Sequence, residues 1–128
     1  MTGFSERIAE LSERAQRDRE TFDPPADPPD EDRALSYLTD GAGDAVGLYI
    51  EARTGEQVRF DAAEFALLER ALNDWLELYA ACYGVDLDAS FTIREMAELL
   101  LETHSIRTAA LLLTHVPERD EAEPWPHR

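Results

Sequence analysis

"VGLYIEARTGEQVRF", residues 46–60, decides the fold class. Val46, Leu48 and Ile50 alternate with Gly47, Tyr49 and Glu51, and Val58 and Phe60 alternate with Gln57 and Arg59. Alternation with a period of two is the mark of a half-buried strand, so the spacing predicts a β-hairpin. A two-residue turn at Thr54-Gly55 would pair Ile50 with Arg59 and put the two faces out of phase. A three-residue loop, Arg53-Thr54-Gly55, pairs Ile50 with Val58 and Leu48 with Phe60 and leaves Gly55 at the left-handed position such loops favour. Two strands with one apolar face are too small to stand alone, so a helix has to cover them.

That helix follows at once. In "FDAAEF" (60–65), Asp61 is an N-cap and Glu64 stands at N3, a capping box, while Phe60 and Phe65 form a hydrophobic staple. Phe65, Leu68, Leu72, Trp75, Tyr79 and Cys82 then step by three and four, and Gly84 stops the helix after Tyr83. "FTIREM" (91–96) repeats the grammar with Thr92, Glu95, Phe91 and Met96, Ser105 caps one more helix, and Pro117 ends it. The expected fold is therefore α+β and mostly helical: one β-hairpin (46–60) packed on a long helix (62–83) and a C-terminal helical pair (92–116).

Outside this core (34–116), residues 1–22 hold an amphipathic helix with Phe4, Ile8, Leu11 and Ala15 as a narrow stripe and Ser5 as its N-cap. Its other faces are charged, so it is expected on the outside. "DPPADPPDED" makes 23–33 a Pro-rich, extended spacer. A short helix is expected over 31–39, through Leu35 and Leu38, and "TDGAGDAVG" (39–47) reads as a flexible loop before the strand. Residues 117–128 read as a disordered acidic and Pro-rich tail carrying Trp125.

Charge dominates the composition. There are 28 acids against 12 basic residues, a net of −16, and every basic residue is Arg. The excess is spread along the chain: 11 acids and 5 Arg in 1–43, 13 and 5 in 44–116, 4 and 2 in 117–128. A uniform excess points to adaptation of the whole surface to its solvent, because at molar salt the Debye length falls to roughly 3 Å and carboxylate repulsion is screened. This acid-rich, Lys-free composition resembles that of small haloarchaeal cytoplasmic proteins and implies a soluble protein of a high-salt cytoplasm. Replacement of Lys by Arg in a GC-rich genome would not explain the acid excess. The single Cys82 excludes an internal disulfide and a multi-thiolate metal site, and the longest purely apolar run is "AALLL" (109–113), too short for a membrane.

The C-terminal pair has two readings. "REMAELL" (94–100) resembles the opening helix of helix-turn-helix regulators, which implies DNA binding with Arg94, Arg107, Thr108 and His115 as contacts. The motif then wants Gly, an apolar residue and a branched apolar residue where this chain has Leu101, Glu102 and Arg107. Read instead as a hairpin closing the core, the pair leaves Trp75, Tyr79, Tyr83 and Trp125 as the residues for protein contact. No nucleophile elbow or P-loop occurs, and His104 and His115 lack a third ligand nearby, so no catalytic, cofactor or metal residues are assigned. The expectation is a non-catalytic protein-interaction or regulatory module with a protein partner or a homodimer, no cofactor and no membrane; the alternative is a helix-turn-helix regulator bound to nucleic acid.

Overall fold

The computed structural model describes residues 3–26, 29–54 and 61–116. Among them there are six α-helices and one π-helical turn: α1 Gly3–Glu20, α2 Glu31–Tyr37, the π-turn Leu38–Ala42, α3 Gly43–Thr54, α4 Ala62–Ala81, α5 Ile93–Thr103 and α6 Ile106–Thr114. No strand occurs among the described residues, so the β-hairpin and the α+β class give way to an all-helical fold. Residues 43–54 are helical, and the proposed return strand, 55–60, lies outside the described residues together with the tail 117–128.

The correction has a physical cause. Val46, Leu48 and Ile50 alternate, but Ala42, Ala45, Leu48 and Ala52, each at most 4% exposed, step by three, three and four. Alanine carries little hydrophobic signal yet is the strongest helix former. Gly43 and Gly47 each cost the helix about 1 kcal/mol. Burial against α1, α4 and α5 supplies the compensation.

The run from α2 through α3 is continuous across the π-turn. Asp30 caps it by accepting from Arg33 N at 3.2 Å. Asp30 N in turn donates to Cys82 O at 2.9 Å and ties the Pro-rich segment to the end of α4. At the π-turn, a Cβ built on Gly41 would stand 2.2 Å from Trp75 Cδ2, so only glycine lets the helix lie on the indole. Arg14 donates to Asp40 O at 3.1 Å, meeting one carbonyl of the widened turn, and its guanidinium lies 5.4 Å from the Trp75 ring centre.

α4 is the axis of the molecule. Its capping box is formed: Glu64 N donates to Asp61 Oδ1 at 2.7 Å and Asp61 N to Glu64 Oε1 at 3.0 Å. Leu68, Leu72, Trp75 and Tyr79 form one buried stripe, and buried Ala71 and Leu78 on one flank and Leu76 and Ala80 on the other widen it to about half the helix, the pattern of a helix packed by several neighbours. α1 buries Ile8, Leu11 and Ala15 and packs on α4. Ser5 lies within α1 and donates to the Glu64 carboxylate, and Arg19 pairs with Asp74 and Glu77.

Glu69, Asn73 and Glu77, one turn apart on α4, hold the returning segment 85–92. Asn73 donates to Phe91 O at 3.0 Å and accepts from Phe91 N at 2.8 Å, as a paired backbone would. Glu77 accepts from Ala89 N and Glu69 from Ile93 N. The Thr92–Glu95 capping box then starts α5. His104 at φ 59° ends α5, Ser105 caps α6 by accepting from Thr108 N, and His115 at φ 61° ends α6. Histidine is one of the few side-chain-bearing residues that enter the left-handed region with some frequency, so both act as helix stops.

Candidate functional site

The sequence offers four aromatic residues for contact, and the fold separates them. Trp75 is 2% exposed, sealed between Gly41, Arg14 and the Tyr37 ring, whose centre is 5.8 Å away. Trp125 lies outside the described residues. Tyr79 and Tyr83, one turn further along the same seam, stand edge to face with ring centres 5.4 Å apart. Together with Glu31, Ser105, Arg107, Thr108 and Leu111 they line an open groove of about 370 Å3.

Each wall follows from local chemistry. Tyr79 comes from the last turn of α4 and Tyr83 from the turn that follows it, which closes at Gly84 with φ 77°. The Asp30–Cys82 hydrogen bond brings Glu31, the first residue of α2, beside them. On the facing side the Ser105 cap starts α6, and Arg107, Thr108 and Leu111 follow on one stripe. The Tyr79 hydroxyl donates to Val116 O at 2.5 Å, fixing the chain just after α6 to the groove wall.

The groove is electrostatically uneven. Burial pushes the Tyr79 phenol well above its ordinary range, and the neighbouring Tyr83 adds to this. Burial, then the Glu31 carboxylate, raises Tyr83. The Arg107 guanidinium opposes both shifts. Both phenols therefore stay protonated at neutral pH and act as hydrogen-bonding hydroxyls on aromatic rings. Cys82, fully buried, is pushed up to about 11 by burial, which suppresses the thiolate a nucleophile needs. Among the described residues no three His, Cys, Asp or Glu side chains are grouped to hold a metal.

Of the residues read as DNA contacts, Arg107 and Thr108 come together in this groove, facing Tyr79, Tyr83 and Glu31 across a concavity. Arg94 is elsewhere, exposed on α5 and paired with Glu98 at 3.3 Å. His115 is the exposed end of α6 and does not line the groove. Only two residues, His104 and Ser105, separate α5 from α6, and Leu101, where the helix-turn-helix pattern wants Gly, stands 59% exposed at the end of α5. Sequence reasoning passed over Glu31, Ser105 and Leu111. Ser105 was legible as a cap, but nothing local marks Glu31 as a neighbour of a tyrosine some fifty residues on.

No helix among the described residues is long and apolar enough to cross a membrane. No curated protein and no solved structure matches the chain. The family described as Domain of unknown function (DUF8055) matches residues 2–118, and the chain belongs to that family.

Proposed function

We propose that the chain is a non-catalytic protein-interaction or regulatory module of a high-salt cytoplasm and that it docks its partner on the groove between α4 and α6. The observation that carries the reading is an open concave face on which the half-buried Tyr83, backed edge to face by the buried Tyr79, shares a groove with the exposed Arg107 guanidinium. Tyr and Arg are the residue types that most often dominate binding energy at protein interfaces. The protonated phenols and the buried thiol argue for contact rather than covalent chemistry.

The test is crosslinking and pull-down of the full chain in molar KCl, with Tyr83→Ala and Arg107→Glu as matched controls. A specific partner or a homodimer that both variants lose is expected. Capture that neither variant weakens, or a monomer with no partner, overturns the reading. DNA binding draws on Arg107 as well, but phosphate contacts weaken steeply with salt. A sequence-selective shift of genomic fragments in molar KCl, abolished by Arg107→Ala, would put DNA in place of the protein partner.

A further inference from the structure

We propose that the occupant of the groove between α4 and α6 is a second copy of this chain, with Leu101 and Glu102 of each copy seated in the groove of the other. This rests on the groove being a docking surface and names the partner it takes.

The groove supplies one half of the fit. Its open part is half-buried Tyr83, faced by Thr108 and Leu111 of α6. Tyr79, 3% exposed and bonded to Val116 O, only backs Tyr83. Arg107 is exposed at the rim and makes no ion pair or side-chain hydrogen bond among the described residues, whereas Arg7, Arg19 and Arg94 are each paired with a carboxylate. In a chain with 28 acids and 12 basic residues, that leaves a guanidinium open to a carboxylate from outside.

The α5–α6 hairpin supplies the other half. Among the described residues the exposed large hydrophobic side chains are Leu101, at 59%, and Leu112, at 40%, and both stand on this hairpin. Leu101 is followed by Glu102, which is exposed and makes no ion pair among the described residues, with Arg107 of its own chain or any other cation. An apolar side chain beside a carboxylate complements an aromatic wall beside a guanidinium. Leu112 lies between Leu111 and Leu113 and brings no charge with it. Glu31 lines the groove on the α2 side and repels a carboxylate there, so Glu102 belongs at Arg107 and Leu101 against Tyr83 and Leu111.

A two-fold interface is self-complementary, so one patch has to carry both halves. Leu101 precedes Ser105, the first groove residue of the hairpin, by four residues, and only His104 and Ser105 separate the two helices. Both halves therefore lie at one end of the hairpin, and a two-fold axis beside its turn seats both leucines at once. At molar salt a Debye length of roughly 3 Å screens the repulsion between two acidic surfaces, while pairs closed off from solvent are screened much less.

Sedimentation equilibrium of the full chain in molar KCl is expected to show a monomer–dimer equilibrium. Leu101→Ala, at a site exposed in the monomer, should raise the dimer Kd roughly ten- to hundredfold, the worth of one buried leucine. Arg107→Glu and Glu102→Arg should each raise it at least about tenfold, because each sets like charges against one another. An equimolar mixture of those two variants should recover the dimer, since both cross-contacts of the mixed pair then join unlike charges. A contact within one chain gives no recovery on mixing. A monomer throughout, a dimer that Leu101→Ala and Arg107→Glu leave unchanged, or a mixture that stays dissociated overturns the proposal. A monomer that captures a different protein, and loses it with Tyr83→Ala, overturns the second copy and keeps the docking surface. A dimer indifferent to all of these variants, Tyr83→Ala included, with no other protein captured, removes both.

Discussion

Trp75, Tyr79 and Tyr83 follow one aromatic seam along α4 and the turn after it, yet Trp75 and Tyr79 are sealed, at 2% and 3% exposure, while half-buried Tyr83 opens onto a groove. Around Trp75, the π-turn brings Gly41 onto the ring, Tyr37 stacks beside it and Arg14 covers it. Its Nε1 is buried without a hydrogen-bond partner among the described residues, so at this end close packing outweighs a lost hydrogen bond. Around Tyr83, the facing helix supplies Arg107, Thr108 and Ser105 at a distance that leaves a groove. The same seam thus makes a core where a glycine faces it and a surface where long polar side chains do. An aromatic residue's role is set by what stands opposite, not by its own spacing.

That contrast can be broken at its sealed end first. Trp75→Ala should cost about 3–5 kcal/mol, because a large ring leaves an enclosed cavity. Trp75→Phe should cost far less, since it keeps the ring stacking and deletes the orphaned N–H; urea unfolding of both variants checks this, and equal losses would contradict the sealed-core account. Gly41→Ala comes next, with overpacking expected to cost about 1–3 kcal/mol. The clash is with a ring that core neighbours hold on all sides, so a neutral Gly41→Ala would mean the π-turn is looser than described.

Alkaline titration isolates the other end of α4. The native state holds the Cys82 proton up to about 11, against an ordinary 9.0, and holds the Tyr79 proton above its ordinary 10.0, in both cases because of burial. A folded pKa raised above the unfolded one gives stability that is complete below the unfolded pKa and lost as pH rises. From neutral pH up to pH 9 these two groups should leave the melting temperature flat, and it should fall between pH 9 and about 11 from Cys82, with Tyr79 extending the loss upward. Cys82→Ala should make the first part of that fall shallower; an unchanged slope would contradict the assignment. The smallest effect on stability is expected from Arg107→Glu, below about 1 kcal/mol, since Arg107 is exposed on α6 and surface changes away from the core are close to neutral. Its consequence is for docking, so a large destabilisation would show that the open end is structural after all.

Some of this architecture was readable residue by residue. The capping boxes at Asp61 and Thr92 and the cap at Ser105 stand as expected, because a cap depends on a side chain and a backbone N–H two or three residues away. Residues 46–54 mislead because Val46, Leu48 and Ile50 alternate while the alanines beside them carry little hydrophobic signal. Their helix is held by three neighbours distant in sequence. Glu69, Asn73 and Glu77 looked like ordinary surface residues of an amphipathic helix, and only the segment they hold reveals their purpose. Of the groove, Tyr79 and Tyr83 were legible as an aromatic pair, while Arg107 and Thr108 were noticed for a different reason.

The sequence by itself determined the acid-rich surface, the starts of α4, α5 and α6 and the aromatic seam, since composition, capping and periodicity are local properties. Tertiary structure alone decided that 43–54 is helix rather than strand, that Gly41 seals Trp75, and that Glu31 and Arg107 meet across two tyrosines. Those outcomes depend on which distant surfaces share a boundary. A marginal helix with two glycines is settled by burial on its neighbours, an energy that no window of the chain contains.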